Sequence, residues 1–211
     1  LGGAIAWPLV ARAQQKSVNI GLMGAGAADT SAPLIEALKQ GLRENGLIEG
    51  KDYVLELRWA EGHYERFAEF ARELAEQRVG IIVVNTIAAA RAAQRATSVI
   101  PIVMATMNDP VGNGLIASLA RPGGNTTGLA TLNQDVTPKL LELLHTFIPS
   151  ATTIAVLFNP ANPSNPVYAD SVRVQAAPLG IAVQSFALKT PDELNSVFGT
   201  MVAQRPNAVL V

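Results

Sequence analysis

No cysteine occurs anywhere in the chain. Disulfides, thiolate metal sites and a cysteine nucleophile are therefore excluded. The compartment is left open by this, because many exported bacterial proteins lack disulfides. Histidine is almost as scarce, with only His63 and His145. No His/Asp/Glu spacing suggests a metal site, and no serine sits in a nucleophile elbow. Charge is sparse as well: 16% of residues, 16 Lys+Arg against 17 Asp+Glu, for a net charge of −1. No basic surplus points to nucleic acid, and no charge block points to a disordered tail. Long apolar runs are missing too, and none reaches the roughly 18 residues of a spanning helix.

What is present is apolar and finely divided. Hydrophobic residues make up 49% of 211. That is enough for one large domain or two small lobes, each with its own core. Much of this content is Ala and Val in periodic segments, which favours a buried sheet with small-residue helices packed on it. The first thirteen residues differ. "LGGAIAWPLVARA" is apolar, breaks at Pro8 and ends in Ala11-Arg12-Ala13. Small residues at Ala11 and Ala13 fit signal-peptidase cleavage before Gln14, so the segment reads as the tail of a signal peptide without its basic start.

Strands and helices then alternate. "VNIGLM" from Val18 is a strand, and Pro33 to Asn45 follows at helical spacing, with Thr30 or Ser31 as its cap and Gly46 as its stop. Asp52 to Trp59 is a strand and Tyr64 to Arg78 a helix. Gly80 to Val84 is a strand, Ile87 to Thr97 an Ala-rich helix, and Pro101 to Ala105 a fourth strand. This alternation argues for a parallel, doubly wound sheet. Asp109-Pro110 fits an N-cap followed by proline at N1, which predicts a helix through Arg121, ended by Pro122-Gly123-Gly124. The pattern then restarts. A strand is expected at Gly128 to Leu132, a helix at Pro138 to Phe147 and a strand at Thr153 to Phe158. A helix at Val167 to Leu179, a strand at Ile181 to Leu188, a helix at Pro191 to Arg205 and a strand from Ala208 complete it. The breaker cluster divides the chain into residues 1–13 as a signal-peptide remnant, 14–125 as an N-terminal α/β lobe and 126–211 as a second, incomplete α/β lobe.

In open α/β sheets the ligand crevice lies beyond the carboxyl ends of the strands. Asn108 and Asp109 stand there. So do Asn85-Thr86, Gly24 to Ser31, and Asn162 to Asn165, each ahead of a helix whose first amides favour an anion. Gly24-Ala25-Gly26 does not complete a dinucleotide fingerprint, because Asp29 occupies the place of the third glycine. Glu61 and Glu65 beside His63 read as a solvated loop and helix start. Trp59 suits either the core or a stacking surface. No catalytic set, no metal site and no cofactor emerges.

Four stretches, "WPLVARAQQ", "GLRENGLIEGKDYVLELRWAEGHYERF", "DPVGNGLIASLARPGGNTTGL" and "IAVLFNPANP", resemble the ABC-transporter substrate-binding proteins of the group that includes tryptophan- and tyrosine-type binders. The resemblance spans nearly the whole chain. It implies a periplasmic solute receptor of the type-I periplasmic binding-protein fold. Two Rossmann-like three-layer α/β/α lobes with parallel sheets would close about a hinge on a ligand. The implied ligand is an amino acid, aromatic or branched, and the implied partner is an ABC permease in the inner membrane. The implied contacts are Gly24, Ala25, Ser31, Trp59, Thr86, Ala88, Asn108 and Asp109 on one side and Asn133, Asn159 and Asn162 on the other. Thr86 would hold the carboxylate, Asp109 the ammonium, and the ligand side chain would lie near Trp59. Members of the group run longer than this chain, so the second lobe is expected to be truncated, with an exposed edge open to dimerisation or element swapping.

Two other classes use such a fold. The effector-sensing core of a transcription regulator needs a DNA-binding helix-turn-helix ahead of it, and the leader here is apolar instead. An α/β enzyme with an active site between lobes needs a nucleophile or base pair, which this inventory lacks.

Overall fold

The computed structural model describes residues 17–211; the leader over residues 1–13 lies outside the described residues, as do the side chains of Asn133, Gln134, Asp135 and Pro191. The alternation holds. β1 (Val18–Gly24), α1 (Ala28–Glu44), β2 (Tyr53–Trp59), α2 (Phe67–Glu76), β3 (Ile81–Val84), α3 (Ile87–Ala96) and β4 (Ile102–Asn108) come in that order. β5 (Thr126–Thr131), α4 (Asn133–Phe147), β6 (Thr153–Phe158), α5 (Ser164–Ala176), β7 (Ala182–Ala187), α6 (Leu194–Gln204) and β8 (Ala208–Leu210) follow.

Two parallel sheets result, ordered β2-β1-β3-β4-β5 and β7-β6-β8. Connections between neighbouring parallel strands are right-handed. The chain moves one way from β1 to β2 and the other way from β2 through β3 to β4, so α1 covers one face of the larger sheet while α2 and α3 share the opposite one. The α2–α3 face holds the main core, where Phe67, Leu74, Ile82, Val84, Ala89, Ala93 and Ile102 are almost fully buried. In β6 the alternation of faces is plain. Ile154 and Val156 pack on Leu141 of α4 and on Ala169 and Val172 of α5, while Ala155 and Leu157 pack on Met201 of α6. The smaller sheet is thus covered on both faces.

Three expectations change. α1 begins earlier than read, at Ala28, with Ala27 as a cap that makes no side-chain bond; Ser31 is buried in the first turn instead. No helix forms between Pro110 and Arg121. The Asp109 carboxylate accepts from the Gly112 amide at 2.8 Å and starts a turn, and Gly112 and Gly114 (φ +67°) remove the helix propensity that would carry it further. Finally, β5, expected to open the second unit, hydrogen-bonds to β4 as the last strand of the larger sheet.

β5 depends on a glycine. Gly128 has φ +141°, and a side chain there would run into the backbone of Met104, where the β4–β5 register slips between Met104 and Met107. Both the conformation and the close approach require the missing Cβ. Gly128→Ala is expected to destabilise the chain by about 2 kcal/mol or more, measured as a lower midpoint in urea. An unchanged midpoint would mean that the strand does not cross β4 so closely.

Candidate functional site

The carboxyl ends of the two sheets face one cleft of about 590 Å³. The larger sheet supplies Asn85 and Thr86 beyond β3, Thr106 to Asn108 from β4, and Thr131 from β5. The smaller side supplies Leu157 and Phe158 from β6, Asn162 from the following turn, Ser164, Asn165 and Tyr168 from α5, and Val211 after β8. Val136 and Leu140 of α4 close one end. Among the described residues every polar side chain lining this cleft is an amide or a hydroxyl, and none is charged. The apolar lining and the neutral donors together suit a small ligand held by a few hydrogen bonds.

Thr86 sits where the chemistry is sharpest. It is buried, and its Oγ1 accepts from the Ala89 amide at 3.2 Å, which caps α3. The amides of Ile87 and Ala88 at the opening of α3 have no intrahelical acceptor, so this terminus can receive a carboxylate. Next to it, the buried Oδ1 of Asn85 has no hydrogen-bond partner among the described residues. An unmet buried acceptor is costly, on the order of 1–3 kcal/mol, and a ligand N–H or O–H would relieve it. The start of α5 is less available. Asn162 Oδ1 already accepts from the Ser164 amide at 3.2 Å and from its hydroxyl at 2.9 Å, and the Asn162 carbonyl accepts from the Asn165 amide at 3.0 Å.

A smaller chamber of about 210 Å³ adjoins the cleft and shares Asn108, Ser164 and Tyr168 with it. Asp109 and Asn113 line it on one side, and Val167 and Ser171 of α5 on the other. Asp109 is the one acidic side chain among the described residues lining either space.

Of the residues expected at the site, Thr86, Asn108 and Asn162 meet in the cleft, and Asp109 lies in the adjoining chamber. Ala88 turns its side chain to the core, leaving only its amide for the cleft. Asn159 accepts from the Ala161 amide at 2.9 Å, shaping the turn after β6 without lining the cleft. Asn133 begins α4, and its side chain lies outside the described residues. Gly24, Ala25, Ser31 and Trp59 do not line the cleft. Gly24 and Trp59 end β1 and β2, and Ala25 and Ser31 come after β1, at the β2-β1 side of the larger sheet, whereas the cleft opens beyond β3, β4 and β5. The Trp59 ring lies against Gly24 so closely that any side chain at 24 would overlap it. His63 is also remote. It pairs with Glu65 at 3.1 Å, and the Glu65 carboxyl is held below its ordinary range, first by its own backbone amide and then by His63.

Asn85, Ser164 and Asn165 could be found from their strand-end positions. Tyr168 and Ser171 could not, because only the packing of α5 brings them to the cleft side.

Several known proteins are similar to this chain in sequence and fold. A tyrosine-binding protein of Clostridioides difficile (strain R20291) is 28% identical over 195 residues, covering 90% of this chain and 54% of that protein. The chain thus spans about half the length of that relative. A conserved domain protein from Vibrio cholerae superposes with a TM-score of 0.80 at 25% identity, over 92% of this chain and 64% of that one. A Streptococcus pneumoniae structure in complex with L-Trp gives a TM-score of 0.78 at 23% identity, again over 92% and 64%. The fold is the type-I periplasmic binding-protein fold. The family model described as ABC transporter substrate binding protein matches residues 27–211, from the first loop to the last residue, and the chain belongs to that family.

Proposed function

We propose that this chain is a solute receptor that takes a single amino acid with an apolar or aromatic side chain and hands it to an ABC permease. The observation that carries the reading is the cleft itself. Two parallel sheets turn their carboxyl ends toward one space, and the uncovered amides of α3 open into it beside neutral donors and an apolar wall. The ligand carboxylate lies at Thr86 and the amides of Ile87 and Ala88. The ammonium reaches Asp109 in the side chamber, and the side chain rests on Val136, Leu140 and Phe158. The tyrosine- and tryptophan-binding relatives support this ligand class.

The chain works as two lobes that close on the ligand. Pairing of β5 with β4 supports a passage between the lobes near Leu132, after β5, in place of the breaker cluster. The apolar leader and its Ala11-Arg12-Ala13 end support export to the periplasm, where the permease partner would be met.

Calorimetry of the purified chain with tyrosine, tryptophan and leucine tests this. Binding of at least one, at about micromolar strength, is expected. Asp109→Ala weakens it by about tenfold or more, the worth of a charge-assisted hydrogen bond. Trp59→Ala, outside the cleft, changes affinity by less than about twofold while lowering stability by about 1–2 kcal/mol. No binding of any of the three would refute the ligand class, and a large loss in Trp59→Ala would refute the placement.

A further inference from the structure

The segment that presents Asp109 has no helix or strand of its own between β4 and β5. Asp109 itself is held at φ +42°, a backbone conformation that a residue with a Cβ keeps only when its surroundings impose it. Those surroundings can be named. Asn113 Nδ2 donates to the Asp109 carbonyl at 2.9 Å and to the Asn108 carbonyl at 3.3 Å. The Asn113 amide donates to the same Asp109 carbonyl at 3.0 Å. The Asp109 carboxylate lies so close to Gly112 that a side chain there would collide with it. The segment is in turn tied to α3: Arg91 Nη2 donates to the Asn113 carbonyl at 3.1 Å, and Gln94 Nε2 donates to the Leu115 carbonyl at 2.7 Å.

One helix therefore carries both poles of the site. Its N-terminus opens on the main cleft through Thr86 and Ile87, and one to two turns later Arg91 and Gln94 hold the corner that bears Asp109. A rigid helix fixes the span between an anion-receiving terminus and a carboxylate, which is the geometry that selects a zwitterion.

We propose that Asn113 is a positioning residue for ligand selection. By pinning the carbonyls of Asn108 and Asp109 it presents the Asp109 carboxylate to the side chamber, and so sets the preference for ligands that carry an ammonium beside their carboxylate. The inference rests on the amino acid reading above. Asn113 acts through Asp109 and not on the ligand's carboxylate or side chain.

The test compares tyrosine with its des-amino analogue, 3-(4-hydroxyphenyl)propionate, by calorimetry in the wild-type chain, Asp109→Asn and Asn113→Ala, with circular dichroism to verify folding. Wild type is expected to prefer tyrosine by about tenfold or more. Asp109→Asn, which keeps the turn acceptor and suits the left-handed backbone, should erase that preference. Asn113→Ala should cut the preference severalfold, weakening tyrosine more than the analogue. Arg91→Ala, at an exposed site, should move it the same way by about twofold. Equal weakening of both ligands in Asn113→Ala would make Asn113 merely structural and overturn the inference alone. A preference erased in Asp109→Asn but intact in Asn113→Ala would overturn it as well. If neither compound binds the wild-type chain, the amino acid reading fails and this inference fails with it.

Discussion

Every strand in both sheets is paired in parallel, and the rest of the molecule depends on that constraint. A parallel neighbour cannot be reached by a tight turn, so each pair needs a long crossover, which is a helix everywhere except between β4 and β5, where residues 109–125 cross without one. The crossover returns the chain to the same edge each time, so that all carboxyl ends, with their loops and helix N-termini, gather on one side of each sheet. Sequestered backbone groups are satisfied within the ladders, and functional groups are left for the loops. When two such sheets turn these sides to each other, a ligand space lined by helix openings and small polar side chains follows with little further design.

The chemistry of that space is set by what it omits. With no charged side chain lining the main cleft among the described residues, a ligand charge must be met by backbone dipoles or at Asp109. A buried unpaired charge costs several kcal/mol, so on the reading proposed above a ligand with a further side-chain charge would fit the described lining less well. The Asn85 Oδ1 acceptor and the open amides of α3 define one polar end. The α4 residues Val136 and Leu140 and the β6 residue Phe158 define the apolar one.

Much of the framework was legible in the sequence, because local patterns decide it. "TIAVLF" is an apolar run bounded by Thr153 and Asn159, and it became β6 with the expected bounds. Thr86 ahead of an alanine-rich run became a helix cap. Sequence pattern and structure diverge where local chemistry and tertiary placement part. Asp109-Pro110 carries a helix-start signal, but the glycines at 112 and 114 leave a single turn, capped by the Asp109 carboxylate, as the better local option. Trp59 ends a strand, as a cleft residue would, yet spatial strand order is not written in the local sequence, and β2 lies at the far edge. Tyr168 and Ser171 are ordinary helix residues until α5 is placed against the Asn108–Asn113 corner.

The central claim is that the ligand lies between the openings of α3 and α5, across both sheets. An amide chemical-shift titration of the isotope-labelled chain with tyrosine tests it most directly. The account predicts shifts concentrated at residues 85–88, 106–113 and 162–168, with the Trp59 indole signal unmoved. Shifts centred on residues 24–31 and on Trp59, with the α3 opening silent, would contradict it.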